Sequence, residues 1–82
     1  MATALRRQQP KRLARKLLAI RQGLGASQTE MAKLLDLKKT YTAVSAYERG
    51  TREPNLIILL RYARLARVPV ENLIDDKLNL PN

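Results

Sequence analysis

Ser27 to Gly50, SQTEMAKLLDLKKTYTAVSAYERG, is the stretch on which the fold turns. It reads as two short helices joined by a tight, basic turn. Ser27 and Glu30 have the S-x-x-E spacing of a capping box, in which the hydroxyl takes one free backbone N–H and the carboxylate reaches back to another. Met31, Ala32, Leu34 and Leu35 then repeat at helical spacing, an apolar face only about two turns long. Thr40 is placed to cap a second helix with Val44 and Tyr47 buried at i and i+3, and Gly50 ends it. Tyr41, Thr42, Ala43, Ser45, Ala46 and Arg49 are left outward, a small, polar and uncluttered face. Helices this short do not fold alone, so the pair must be held against others.

The flanking chain supplies them. Upstream, Leu13, Leu17, Ile20 and Leu24 fall at i, i+4, i+7 and i+11, with Ala14 and Leu18 widening the stripe. Pro10 suits the first turn of this helix, Lys11, Arg12, Arg15 and Lys16 take its other sides, and Gly25 stops it. Residues 1–9 carry Arg6 and Arg7 without periodicity and read as a flexible basic arm. Downstream of the polar loop Thr51-Arg52-Glu53-Pro54, Asn55 caps a fourth helix with Leu56, Leu59, Leu60 and Ala63 on its buried side. Pro69 starts a short fifth helix with Val70, Leu73 and Ile74 apolar. The result is one all-α, compact five-helix bundle: an arm over 1–9, a domain over 10–75 and a tail over 76–82.

Composition narrows what such a bundle does. There is no Cys and no His among 82 residues, which excludes disulfides and the usual zinc, haem and thiol chemistry and removes the commonest general base. No enzyme and no bound cofactor is expected. The N-terminus lacks a signal-type apolar run and no segment reaches spanning length, so no membrane association and a cytoplasmic site are expected. The net charge of +9 is uneven. Residues 1–52 hold 12 Lys/Arg against three acids, whereas residues 53–82 hold four of each sign. A basic half beside a neutral one points to a polyanion met by one end of the molecule, double-stranded DNA first. The outward face of the second motif helix fits a major groove.

The residues that carry a resemblance are Arg21…Gly25-Ala26-Ser27-Gln28…Ala32…Leu35, then Val44-Ser45-Ala46-Tyr47-Glu48-Arg49-Gly50, then Arg52-Glu53-Pro54-Asn55-Leu56…Leu59-Leu60…Ala63…Val68…Leu73. In these blocks, from about Leu13 to Ile74, the chain resembles the Cro/phage-repressor-type (XRE-family) helix-turn-helix regulators. The resemblance implies the lambda-repressor-like five-helix fold, a bacterial or phage origin, and a third helix lying in the major groove. It implies base contacts at Tyr41, Thr42, Ala43 and Ala46. It implies backbone contacts at Gln28, Thr51 and Arg52 and a structural ion pair between Arg21 and Glu48; Lys38 and Lys39, lysines of a solvent-facing turn, are expected to meet phosphate with them, as are Ser27 and Arg49. Three positions depart from the family pattern: Asp36 and Arg67 replace the usual glycines, and the turn between Leu35 and Thr40 is about two residues longer. If the longer turn shifts the third helix, Lys38 and Lys39 become the readers.

The expected function is a sequence-specific DNA-binding transcription regulator, a repressor or autoregulator acting as a homodimer on a pseudo-palindromic operator. The fifth helix and the tail from Leu73 to Leu80 are the candidate dimer contact. The alternative is an antitoxin or adaptor module that holds a toxin-like partner protein, with or without DNA.

Overall fold

The computed structural model describes residues 10–38 and 41–81; the arm 1–9, Lys39 and the expected cap Thr40 lie outside the described residues. The described helices are α1 (Leu13–Leu24), α2 (Gln28–Leu34), α3 (Thr42–Arg49), α4 (Leu56–Ala66) and α5 (Glu71–Ile74), and no strand occurs among the described residues. The core is built from Leu13, Leu17 and Ile20 of α1, Met31 and Ala32 of α2 with Leu35, Val44 and Tyr47 of α3, four residues of α4, and Leu73 of α5. Burying each large aliphatic of this set stabilises by roughly 1.5–3 kcal/mol, which short helices need because they nucleate poorly alone.

Several residues depart from the expected faces, among them Leu24 of the α1 stripe, which is 43% exposed. Leu34 is 50% exposed while Leu35 is fully buried, because Met31, Ala32 and Leu35 share the core side of α2 and Leu34 falls beside it. In α4 the buried residues are Ile58, Leu59, Tyr62 and Ala63, and Leu56 is 77% exposed. The segment LIILLRYARLA is apolar on several sides, so spacing alone does not choose between faces; the bulk of Tyr62 takes the centre. Ala43, expected outward, is buried beside Val44. Leu73 is fully buried, so it finishes the core and is not surface for a dimer.

The ends of α1 and α5 are joined by polar contacts the linear pattern does not show. Pro10 precedes α1 and does not open it; the helix begins at Leu13, and its N-cap Arg12 makes no side-chain cap bond. An anion from the other end of the chain serves instead. The Asp76 carboxylate accepts the N–H of Lys11 at 2.9 Å and of Arg12 at 3.0 Å, where the helix end is positive. Those two backbone donors hold its carboxyl below the usual carboxylate range. Arg12 in turn donates to the carbonyl of Asp76 at 2.8 Å and to Oδ1 of Asn79 at 2.5 Å. Lys16, expected on a solvent side, is only 4% exposed. Its Nζ donates to the carbonyls of Asn72 and Asp75 at 2.7 and 2.9 Å, groups left over at the end of α5. Burial, with Arg12 close by, lowers the Lys16 ammonium below its ordinary 10.5.

Four helices end in the same six-to-one and five-to-two hydrogen-bond pattern. At Asp36 it consists of Leu37 N–H to Ala32 carbonyl (2.9 Å) and Asp36 N–H to Lys33 carbonyl (3.0 Å); at Arg67, of Val68 to Ala63 (3.0 Å) and Arg67 to Arg64 (3.2 Å). The left-handed residue is glycine after α1 and α3, but Asp36 (φ 57) after α2 and Arg67 (φ 59) after α4. Both glycine replacements therefore keep the glycine-like backbone and carry its strain, less for Asp than for Arg.

Candidate nucleic-acid interface

The turn after α1 is set locally. Gly25 closes α1, and Ser27 then caps α2: Oγ accepts the Glu30 N–H at 3.0 Å while Oε1 of Glu30 accepts the Ser27 N–H at 2.8 Å. The expected capping box is present, and its bonds hold the Glu30 carboxyl below its ordinary value. Gln28 opens α2 beside it.

Glu48 ties three helices at one point. Arg21 of α1 donates Nε to Oε2 at 2.7 Å and Nη2 to Oε1 at 3.1 Å, a two-pronged pair with side chains 17% and 5% exposed. The third guanidinium nitrogen donates to the Ala26 carbonyl at 3.0 Å, and Nε2 of Gln28 donates to Oε1 of Glu48 at 3.1 Å. The bonds to Glu48 push the Arg21 guanidinium up from an already high value. The junction thus holds α1, the first residue of α2 and the last turn of α3 in one arrangement. It also fixes how the Gln28 side chain is presented. Next to it the Tyr62 hydroxyl is buried with no hydrogen-bond partner among the described residues, and burial pushes the phenol far up, with Glu48 and Tyr47 adding.

On α3, Val44 and Tyr47 face the core with Ala43, and the other side carries Thr42, Ser45, Ala46 and Arg49. These four fall at i, i+3, i+4 and i+7, one continuous stripe. Thr42 and Arg49 are exposed, Ser45 and Ala46 half-buried, and Tyr41 stands at the N-cap, 50% exposed. Of the four expected base-contacting residues, Tyr41, Thr42 and Ala46 therefore reach this surface and Ala43 does not. Ser45, expected outward though not as a base contact, completes the stripe. Arg49 bends back, its Nε donating to the Ser45 carbonyl at 3.3 Å.

Of the expected backbone-gripping positions, Lys39 lies outside the described residues. Ser27 and Lys38 are exposed and Gln28 is half-buried. After Gly50, Thr51 and Arg52 are exposed, and the Thr51 hydroxyl donates to the Ala46 carbonyl at 3.3 Å. A hollow of about 420 Å³ separates this loop from the start of α1, and both Lys11 and Arg52 line it. Lys11 was not singled out from sequence, because nothing linear places it beside a loop forty residues away. Among the described residues no helix is long and apolar enough to cross a membrane.

A family profile described as helix-turn-helix matches residues 17–73 of this chain. No curated protein matches it. Among solved structures the chain is similar to the P22 c2 repressor protein, crystallised with a synthetic operator in the presence of Tl+. The TM-score is 0.69 at 23% identity, over 78% of this chain and 94% of that one, a likeness of fold.

Proposed function

Since the chain belongs to the helix-turn-helix family, we propose that it is a sequence-specific DNA-binding transcription regulator, a repressor or autoregulator that binds a pseudo-palindromic operator as a homodimer. The observation that carries the reading is the Thr42–Ser45–Ala46–Arg49 stripe on a helix whose opposite side is locked by Val44, Tyr47 and the Arg21–Glu48 pair. Such a helix presents a smooth ridge to a major groove. Lys11, Lys38 and Arg52 hold phosphates beside it, Thr51 does so once its hydroxyl hydrogen turns from the Ala46 carbonyl to the phosphate, and Gln28 does so at the N-terminus of α2, where free N–H groups and the helix dipole favour anions. The stripe holds no Asn, Gln or Lys, and its arginine is turned back, so direct readout is modest and groove shape contributes. For self-association the exposed pair Leu56 and Ile57, 77% and 56% exposed at the start of α4, is the better surface than the tail.

Selection of bound sequences from a random duplex pool tests this. The expected result is an enriched inverted repeat with half-site centres about 34 Å apart, bound with an affinity that falls on the order of a thousandfold between roughly 50 and 200 mM salt. No enriched motif together with a flat salt dependence overturns the reading.

A further inference from the structure

On α1, Ala14 and Arg21 face α3: Ala14 Cβ lies 3.7 Å from where a Cβ on Gly50 would stand, and Arg21 holds Glu48. Ala19 and Gly23, one turn apart, lie roughly half a turn round the helix from these. On that far flank a groove of about 430 Å³ runs between α1, the end of α4 and the tail, walled by Ala19, Leu24, Leu65, Val68 and Leu80. Its floor at Gly23 is open, since a Cβ there would meet nothing within 4 Å. One charged residue lines it, Arg67, exposed and held at φ 59.

Two independent observations specify the occupant. The walls are aliphatic, so they take apolar side chains. The rim charge is a cation with no acid among the lining residues, and the arginine occupies a backbone conformation that glycine would adopt without strain. We infer that this groove docks an acidic amphipathic segment of a partner protein, with its apolar side chains between α1 and α4 and a carboxylate on Arg67. The size lies within the roughly 300–1,000 Å³ of ligand-accepting clefts, and the mode is that of a helix laid in an apolar groove. Because the groove lies across α1 from α3, docking leaves the Thr42–Arg49 stripe uncovered, and the chain holds partner and duplex together.

The test titrates the isotope-labelled chain with a short synthetic peptide bearing leucines at helical i, i+3 and i+7 spacing and glutamates beside them, followed by amide chemical shifts. Shifts are expected at Ala19, Gly23, Leu65 and Arg67 and not at Thr42 or Arg52. Lysine in place of the glutamates weakens binding roughly tenfold or more. Arg67→Gly weakens the glutamate peptide by about the same factor while the fold is kept, since glycine suits the left-handed position. Gly23→Leu fills the groove and abolishes the shifts, with the melting temperature reporting an intact fold. Equal binding of the lysine and glutamate peptides overturns the inference, as does an absence of shifts at peptide concentrations on the order of 1 mM. Groove shifts that appear on concentrating the chain alone would assign the surface to a second copy and overturn it too.

Discussion

Replacing Glu48 by Ala removes the one acceptor that Arg21 and Gln28 share. In the native protein Arg21 makes bonds of 2.7 and 3.1 Å to that carboxylate, and only its bond to the Ala26 carbonyl survives the substitution. In the intact pair the Arg21 side chain is 17% exposed, so after the substitution its guanidinium is left partly desolvated without its carboxylate. Stranding one partner of a buried pair costs about 3–5 kcal/mol, and the surviving Ala26 bond and residual exposure set the expectation at about 3 kcal/mol. Against a total of about 4–12 kcal/mol for a chain of this length, that is a large fraction. Urea melts followed by circular dichroism measure it, and the thermal midpoint should fall by roughly 12–24 °C. Arg21→Lys keeps a charge but loses the fork and should cost less, while Met at both positions should recover much of the loss. A deficit below about 0.5 kcal/mol for Glu48→Ala would refute the reasoning, because it is what an exposed, idle pair gives.

Thr42→Ala should weaken the selected operator by about 1–3 kcal/mol and leave random duplex nearly unchanged, whereas Arg52→Ala should weaken both alike and lower the salt slope by about one; gel-shift titrations over a salt series separate the two. The Glu30 and Asp76 carboxyls titrate lower in the folded chain than their ordinary 4.5 and 3.8, so the stability they add is complete above those values and drains as pH falls through the lower folded ones. Thermal midpoints should accordingly hold from neutral pH to about pH 5 and decline below it, with Asp76→Asn flattening the decline. Arg67→Gly should raise stability by about 0.5–1 kcal/mol in urea melts, relief of the left-handed arginine exceeding the added freedom of the unfolded chain; Asp36→Gly should do less, as Asp tolerates that region better.

Much of this architecture was readable because its signals are local. The Ser27–Glu30 box, the Asn55 cap and the Gly25 and Gly50 stops each depend on residues within a turn of one another, and all four stand where the spacing put them. The Arg21–Glu48 pair joins residues 27 apart; it came from family resemblance, since no periodicity specifies it. What stayed hidden is non-local or degenerate. Asp76 caps a helix 64 residues away, and Lys16 is buried because α5 ends above it. The buried side of α4 was misplaced because leucines and isoleucines occupy most of its positions, and Ala43 because alanine suits a surface or a core equally well.

The burial of Ala43 narrows the reading face in a way that bears on mechanism. α3 has eight residues, of which three turn inward, and the helix is too short to hold its own direction. Its aim is therefore set from outside, by the apolar contacts of Val44 and Tyr47 and, beside them, by the polar bonds of Glu48. A slip of α3 by one turn would carry the Glu48 carboxylate about 5.4 Å along the helix axis, beyond hydrogen-bond reach of Arg21 and Gln28. The polar junction thus penalises every setting but one, which apolar packing alone does less sharply. On the proposed function, this is what a helix with small reading side chains requires. Thr42, Ser45 and Ala46 have little reach of their own, so discrimination between bases depends on where the backbone is held. Loss of Glu48 should then degrade operator selectivity even at temperatures where the variant remains folded.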